Sequence, residues 1–130
     1  MSEPDLGGKS LSNVSTEHVY KLRVTFGAGS TLTYRSKGAS IAKTTTTTFT
    51  ITLPQSYNEI TEYSVGRFAA TGTDGLEYII TTNNVATTGT IVLTSISTNS
   101  AGTATAPASG DIIYISLGVS RDVLNNRYTG

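Results

Sequence analysis

The sequence predicts an all-β protein: an antiparallel β-sandwich, jelly-roll-like, with extended N- and C-terminal arms. Three observations carry this expectation. Apolar residues recur at every second position in several short stretches, which is the period of a strand with one wet face. Threonine and serine are abundant, 24 and 15 of 130 residues, and the β-branched threonine side chain suits a pleated surface. No stretch sustains a helical period, and seven or eight short strands bounded by turn residues fit a sandwich or jelly roll.

Residues 1–17 hold few apolar side chains and no periodicity, so they are expected to form an N-terminal arm. The body is expected over 18–119. Its first strand, VYKLRVTF from Val19, sets Tyr20, Leu22, Val24 and Phe26 on one face and Lys21, Arg23 and Thr25 on the other. GAGS (27–30) turns the chain into TLTYRS, with Leu32 and Tyr34 expected inward. Gly38 interrupts, and Ile41 resumes an apolar position.

The stretch KTTTTTFTITLPQSY follows. Phe49, Ile51 and Leu53 are expected to face the core and Thr48, Thr50 and Thr52 the opposite side. Pro54 ends this strand because it has no N–H for a ladder. PQSYNEITEY is the one segment with a hint of helix, a single turn at most. Strands are expected again at 63–70 and 76–82, with Asp74-Gly75 as a tight turn between them. TIVLTSIS is the next strand, and a loop of small residues (98–110) leads into DIIYISLGV (111–119). That last strand is the most apolar and is therefore expected to be central. Residues 120–130 complete the chain as a C-terminal arm. Leu22, Val24, Phe49, Ile51, Leu53, Ile91, Leu93, Ile113, Ile115 and Leu117 form the expected core.

Composition narrows the chemistry. Nine basic and nine acidic residues cancel, which leaves no overall electrostatic footprint for nucleic acid or an anionic membrane. Without cysteine there is no disulfide, thiolate metal site or thiol nucleophile. His18 is the single histidine, so neither a multi-histidine zinc site nor a catalytic triad with further histidines is available, and a boundary role is expected for it. Glu59 with Glu62, and Asp74 with Glu77, are carboxylate pairs at turns and strand ends, where solvated charge is normal. A weak surface calcium site is the most that Asp74 and Glu77 offer. Gly27-Ala28-Gly29 precedes a strand, so it presents no helix N-terminus to a phosphate. Asn13-Val14-Ser15 matches a glycosylation acceptor by chance, because the opening MSEPDLGGKS lacks the basic and apolar regions of a secretory signal. Synthesis in a cytosol is therefore expected, with no catalytic, cofactor-binding or metal-binding residues.

Several stretches together carry a resemblance: TFTITLPQSY, the GTIVL strand, the loop and strand ATAPASGDIIYISL, and the tail LNNR. The chain from Val19 to Arg127 resembles small virion proteins of tailed bacteriophages, especially capsid decoration (cement) proteins and the β domains of head or tail fibres. The resemblance is one of composition and strand order and rests on no invariant motif. It implies a non-enzymatic protein on the outer capsid surface of the virion, bound to the major capsid protein and frequently trimeric. A tail or head fibre or spike domain is the alternative, as is a receptor- or carbohydrate-binding β module. Partner contacts are expected in the two arms, at Leu6, Leu11, Val14, Arg121, Leu124, Arg127 and Tyr128, since arginine and tyrosine are favoured at binding hot spots.

Overall fold

In the computed structural model, residues 17–70, 75–99 and 102–121 are described. Eight strands run in order: β1 (Glu17–Phe26), β2 (Leu32–Ser36), β3 (Ser40–Lys43), β4 (Thr48–Thr52), β5 (Glu59–Phe68), β6 (Leu76–Asn84), β7 (Thr90–Ser97) and β8 (Ile112–Ser120). They form two four-stranded antiparallel sheets, β2-β1-β8-β5 (sheet A) and β3-β4-β7-β6 (sheet B). This is the expected sandwich. The pairings β1–β2, β3–β4 and β6–β7 are local hairpins, so this strand order does not by itself trace a jelly-roll winding.

The core is built by the period-two pattern. All ten expected core residues are buried, from Leu22 and Val24 of β1 to Ile113, Ile115 and Leu117 of β8. Phe26 of sheet A meets Phe49 of sheet B with ring centroids 5.1 Å apart and stacks on Tyr78 at 6.0 Å. Strand β8 is interior, between β1 and β5, as its apolar composition requires.

Sheet edges invite unwanted pairing, and the two sides of the sandwich limit this differently. On one side the edge strands are short, five residues in β2 and four in β3. On the other, β5 and β6 are long, and each departs from regular register, between Ile60 and Glu62 and between Ile80 and Thr82. The extra residues are Thr61 and Thr81, and each hydroxyl bonds a side chain on a neighbouring part of its own sheet. Thr81 meets the Thr94 hydroxyl at 2.8 Å. Thr61 donates to the Glu17 carboxylate two strands away, over Gly118 of β8. A Cβ on Gly118 would lie 2.7 Å from the Thr61 oxygen, so the absent side chain is what lets the bulge close.

Two expectations are corrected. Tyr34 lies opposite Val24 in the register but is 43% exposed, because β2 is an edge strand and no described strand pairs with it on its far side. The segment after Pro54 makes no helical turn. Its backbone is used in long-range bonds, Tyr57 N–H to the Val85 carbonyl at 2.9 Å and Asn58 N–H to the Ser120 carbonyl at 2.8 Å, and β5 begins at once with Glu59. The strands also extend one residue past each end of the expected body, taking in Glu17 and Ser120.

Candidate functional site

Glu17 and Ser120 are register partners, and His18 faces Val119. The chain therefore enters β1 and leaves β8 at neighbouring points on one end of sheet A. Around them lies a polar aromatic cluster. Tyr57, buried, packs its ring against His18 at 5.7 Å and Tyr20 at 6.1 Å. The Tyr20 and Tyr57 hydroxyls share a hydrogen bond of 2.5 Å, and Gln55 Nε2 donates to the Tyr57 oxygen at 3.1 Å. Burial, then the hydrogen bond and charge of Tyr57, push the Tyr20 phenol up to about 12, with Arg121 acting in the opposite sense. Tyr20 is thus neutral at physiological pH.

Arg121 stands exposed just after β8, within electrostatic reach of Tyr20. It is the one expected partner-binding residue that the structure describes. Leu6, Leu11, Val14, Leu124, Arg127 and Tyr128 lie outside the described residues, as does Asp74. His18 is exposed at the start of β1. Glu59 and Glu62 project from β5, where Ser116 donates to Glu62 at 3.4 Å. Among the described residues no three His, Asp or Glu side chains are grouped as metal ligands would be.

Asp111 is a residue that strand periodicity did not single out. Fully buried, it accepts from Arg67 Nη2 at 2.8 Å, from the Ala70 N–H at 2.7 Å and from the Ala108 N–H at 3.2 Å. Burial works against its charge, but these three donors outweigh it and hold the carboxyl below its ordinary range. The signal in the sequence was an acidic residue at the head of the most apolar strand, DIIYISLGV. Its task is to clasp the end of β5 and the preceding loop onto β8.

The outer face of sheet B is of another kind. Thr48, Thr50 and Thr52 of β4 lie opposite Thr94, Val92 and Thr90 of β7, and Ile79 of β6 lies opposite Thr94. Hydroxyls bond to one another in the pairs Thr44–Thr50 (2.6 Å), Thr45–Thr48 (2.7 Å) and Thr88–Thr90 (2.7 Å). Because these groups satisfy each other, the face can be covered by protein at a small desolvation cost.

No protein-family model, curated protein or solved structure matches this chain.

Proposed function

We propose that this chain is a non-enzymatic structural protein of a tailed-phage virion, mounted on the outer capsid surface, where it reinforces the shell as a decoration protein. Its partner is the major capsid protein, and trimerisation is the favoured assembly. The phage assignment rests on the resemblance of its strand and loop composition. The observation that supports attachment is the pairing of Glu17 with Ser120. Both terminal segments are rooted side by side, next to exposed Arg121 and the Tyr20–Tyr57 pair, so a single partner can engage both at once. Two tethers rooted together raise each other's effective concentration, and many copies on a lattice make a weak contact sufficient. The sandwich then acts as a rigid body held by its ends.

The experiment is removal of residues 2–14. The β body is expected to stay folded by circular dichroism while incorporation into virions falls sharply, and shells lacking the protein are expected to assemble yet rupture at lower temperature. Full occupancy by the truncated chain would place attachment on the threonine face of sheet B. Imaging of purified virions that locates the chain on the tail would favour the fibre reading.

A further inference from the structure

The outer face of sheet A holds a feature that attachment does not use. The register sets Arg23 of β1 directly opposite Arg35 of β2 on one side and opposite Tyr114 of β8 on the other. Lys21 occupies the next outward position, opposite Ser116. Like charges placed directly opposite destabilise a sheet. In a chain of zero net charge, none of these three cations forms an ion pair with a described residue; the one such pair is Arg67–Asp111. Among the described residues no carboxylate offsets this repulsion, which leaves the cations available to an anion from outside.

Beside the cations stands an aromatic wall. Tyr114 is 41% exposed and Phe68 65%, the two rings meeting edge to face at 5.8 Å. The Arg23 guanidinium is held 6.0 Å from the Tyr114 ring centre, and its Nε donates to the phenol oxygen at 3.4 Å. Opposite Tyr114 on β5 the residue is Gly66, where a Cβ would meet nothing within 4 Å. Lys21, Arg23, Arg35, Gly66 and Tyr114 bound a trough of about 460 Å³ that Ser64 and Ser116 also line, and Phe68 braces Tyr114 from outside it.

We infer that this trough binds a short anionic saccharide, one carrying a carboxylate or a sulfate ester. Arg23 and Arg35 take the anion through charge-assisted hydrogen bonds. Tyr114, steadied by the edge of Phe68, packs against the apolar face of a sugar ring, and the serine hydroxyls bond its hydroxyls. The remainder of the face argues against a long polyanion. Glu62 lies opposite Gly118, and both Glu17 and Glu59 lie opposite Ser120. The Glu62 carboxylate accepts from Ser116, two residues along β8 from Tyr114, at 3.4 Å, so the surface changes sign at the edge of the trough. A nucleic acid strand following the sheet would pass from three cations onto three carboxylates. This inference is independent of where the protein is mounted.

The test is titration of the intact chain, by calorimetry and amide NMR, with four probes: a chondroitin sulfate tetrasaccharide, sialyllactose, neutral cellotetraose and a short oligothymidylate. At least one acidic sugar is expected to bind, with shifts concentrated on Arg23, Arg35, Gly66 and Tyr114, and cellotetraose is not. Arg35→Gln should weaken binding about tenfold or more. Gly66→Val, whose side chain has free space at an ordinary strand position, should keep the fold and intrude on the trough beside Tyr114, weakening binding. Glu77→Gln on sheet B should leave affinity unchanged. The inference is overturned if neither acidic sugar binds, if cellotetraose or the oligothymidylate binds as tightly, or if Gly66→Val leaves affinity intact.

Discussion

Arg67 of β5 donates to Asp111, the residue just before β8, at 2.8 Å, with the arginine side chain 12% exposed and the aspartate fully buried. The pair closes one end of sheet A from within, and it is a point where one substitution reaches many contacts. Asp111→Ala removes the acceptor for Arg67 and for the N–H groups of Ala70 and Ala108. Loss of one partner from a buried pair typically costs about 3–5 kcal/mol, to be read from the shift in urea-unfolding midpoint.

The same carboxylate sets an acid limit. Its folded-state pKa lies below the ordinary 3.8, so its contribution is complete above that value and is lost as pH falls through it towards the lower folded value. The stability gap between wild type and Asp111→Asn is expected to be wide near neutrality and to narrow below about pH 4. A gap that stays constant on acidification would show that the charge of Asp111 does not stabilise the fold.

Tyr57→Phe removes the hydroxyl that both Tyr20 and Gln55 contact. The Tyr20 phenol, pushed up to about 12 by burial first and by Tyr57 second, should then fall part of the way towards its ordinary value. With a raised folded pKa, the wild-type contribution is whole below about pH 10 and declines as pH rises towards 12. Ring-carbon NMR of Tyr20 across the alkaline range checks both statements. An unmoved titration would assign the shift to burial alone.

Tyr78 presents the reverse case. Its ring is buried against Phe26, but its hydroxyl has no hydrogen-bond partner among the described residues. Burial raises this phenol's pKa and the nearby Asp111 charge adds to the shift, while Arg67 opposes it. A buried hydroxyl left unpaired costs about 1–3 kcal/mol, so Tyr78→Phe is expected to unfold at equal or higher urea concentration than wild type. A loss of stability would reveal a partner for that oxygen.

Phe49→Ala should be among the costly changes, about 3–5 kcal/mol for a fully enclosed ring. Phe49 is 1% exposed and joins the sheets through Phe26. Urea unfolding measures it, and a cost below about 1 kcal/mol would mean that the two sheets close over the space.

What could be read from the sequence follows the physics of alternation. Phe49, Ile51, Ile91, Leu93, Ile113 and Ile115 declare their faces because neighbouring positions differ sharply in polarity. Tyr34 obeys the same alternation and is still exposed, since membership of an edge strand depends on pairing with distant residues. The Arg23–Arg35 juxtaposition and the clasp at Asp111 were hidden as well. The first depends on the exact register of the β1–β2 hairpin, and the second joins Asp111 to Arg67 and Ala70, more than forty residues away. Arg121 was legible as a residue type suited to contact, whereas its position beside Tyr20 was not.

Glu17 opposite Ser120 also decides how the molecule bears load. A pull that separates the two chain ends meets the ladder of β1 and β8 end-on, opening its hydrogen bonds one rung at a time, the weakest way to strain an antiparallel pair. If both ends are anchored to the same object and drawn in the same direction, that ladder carries no opening force. The domain is therefore mechanically fragile as a link in a tensioned chain and durable as a stud fixed at its base.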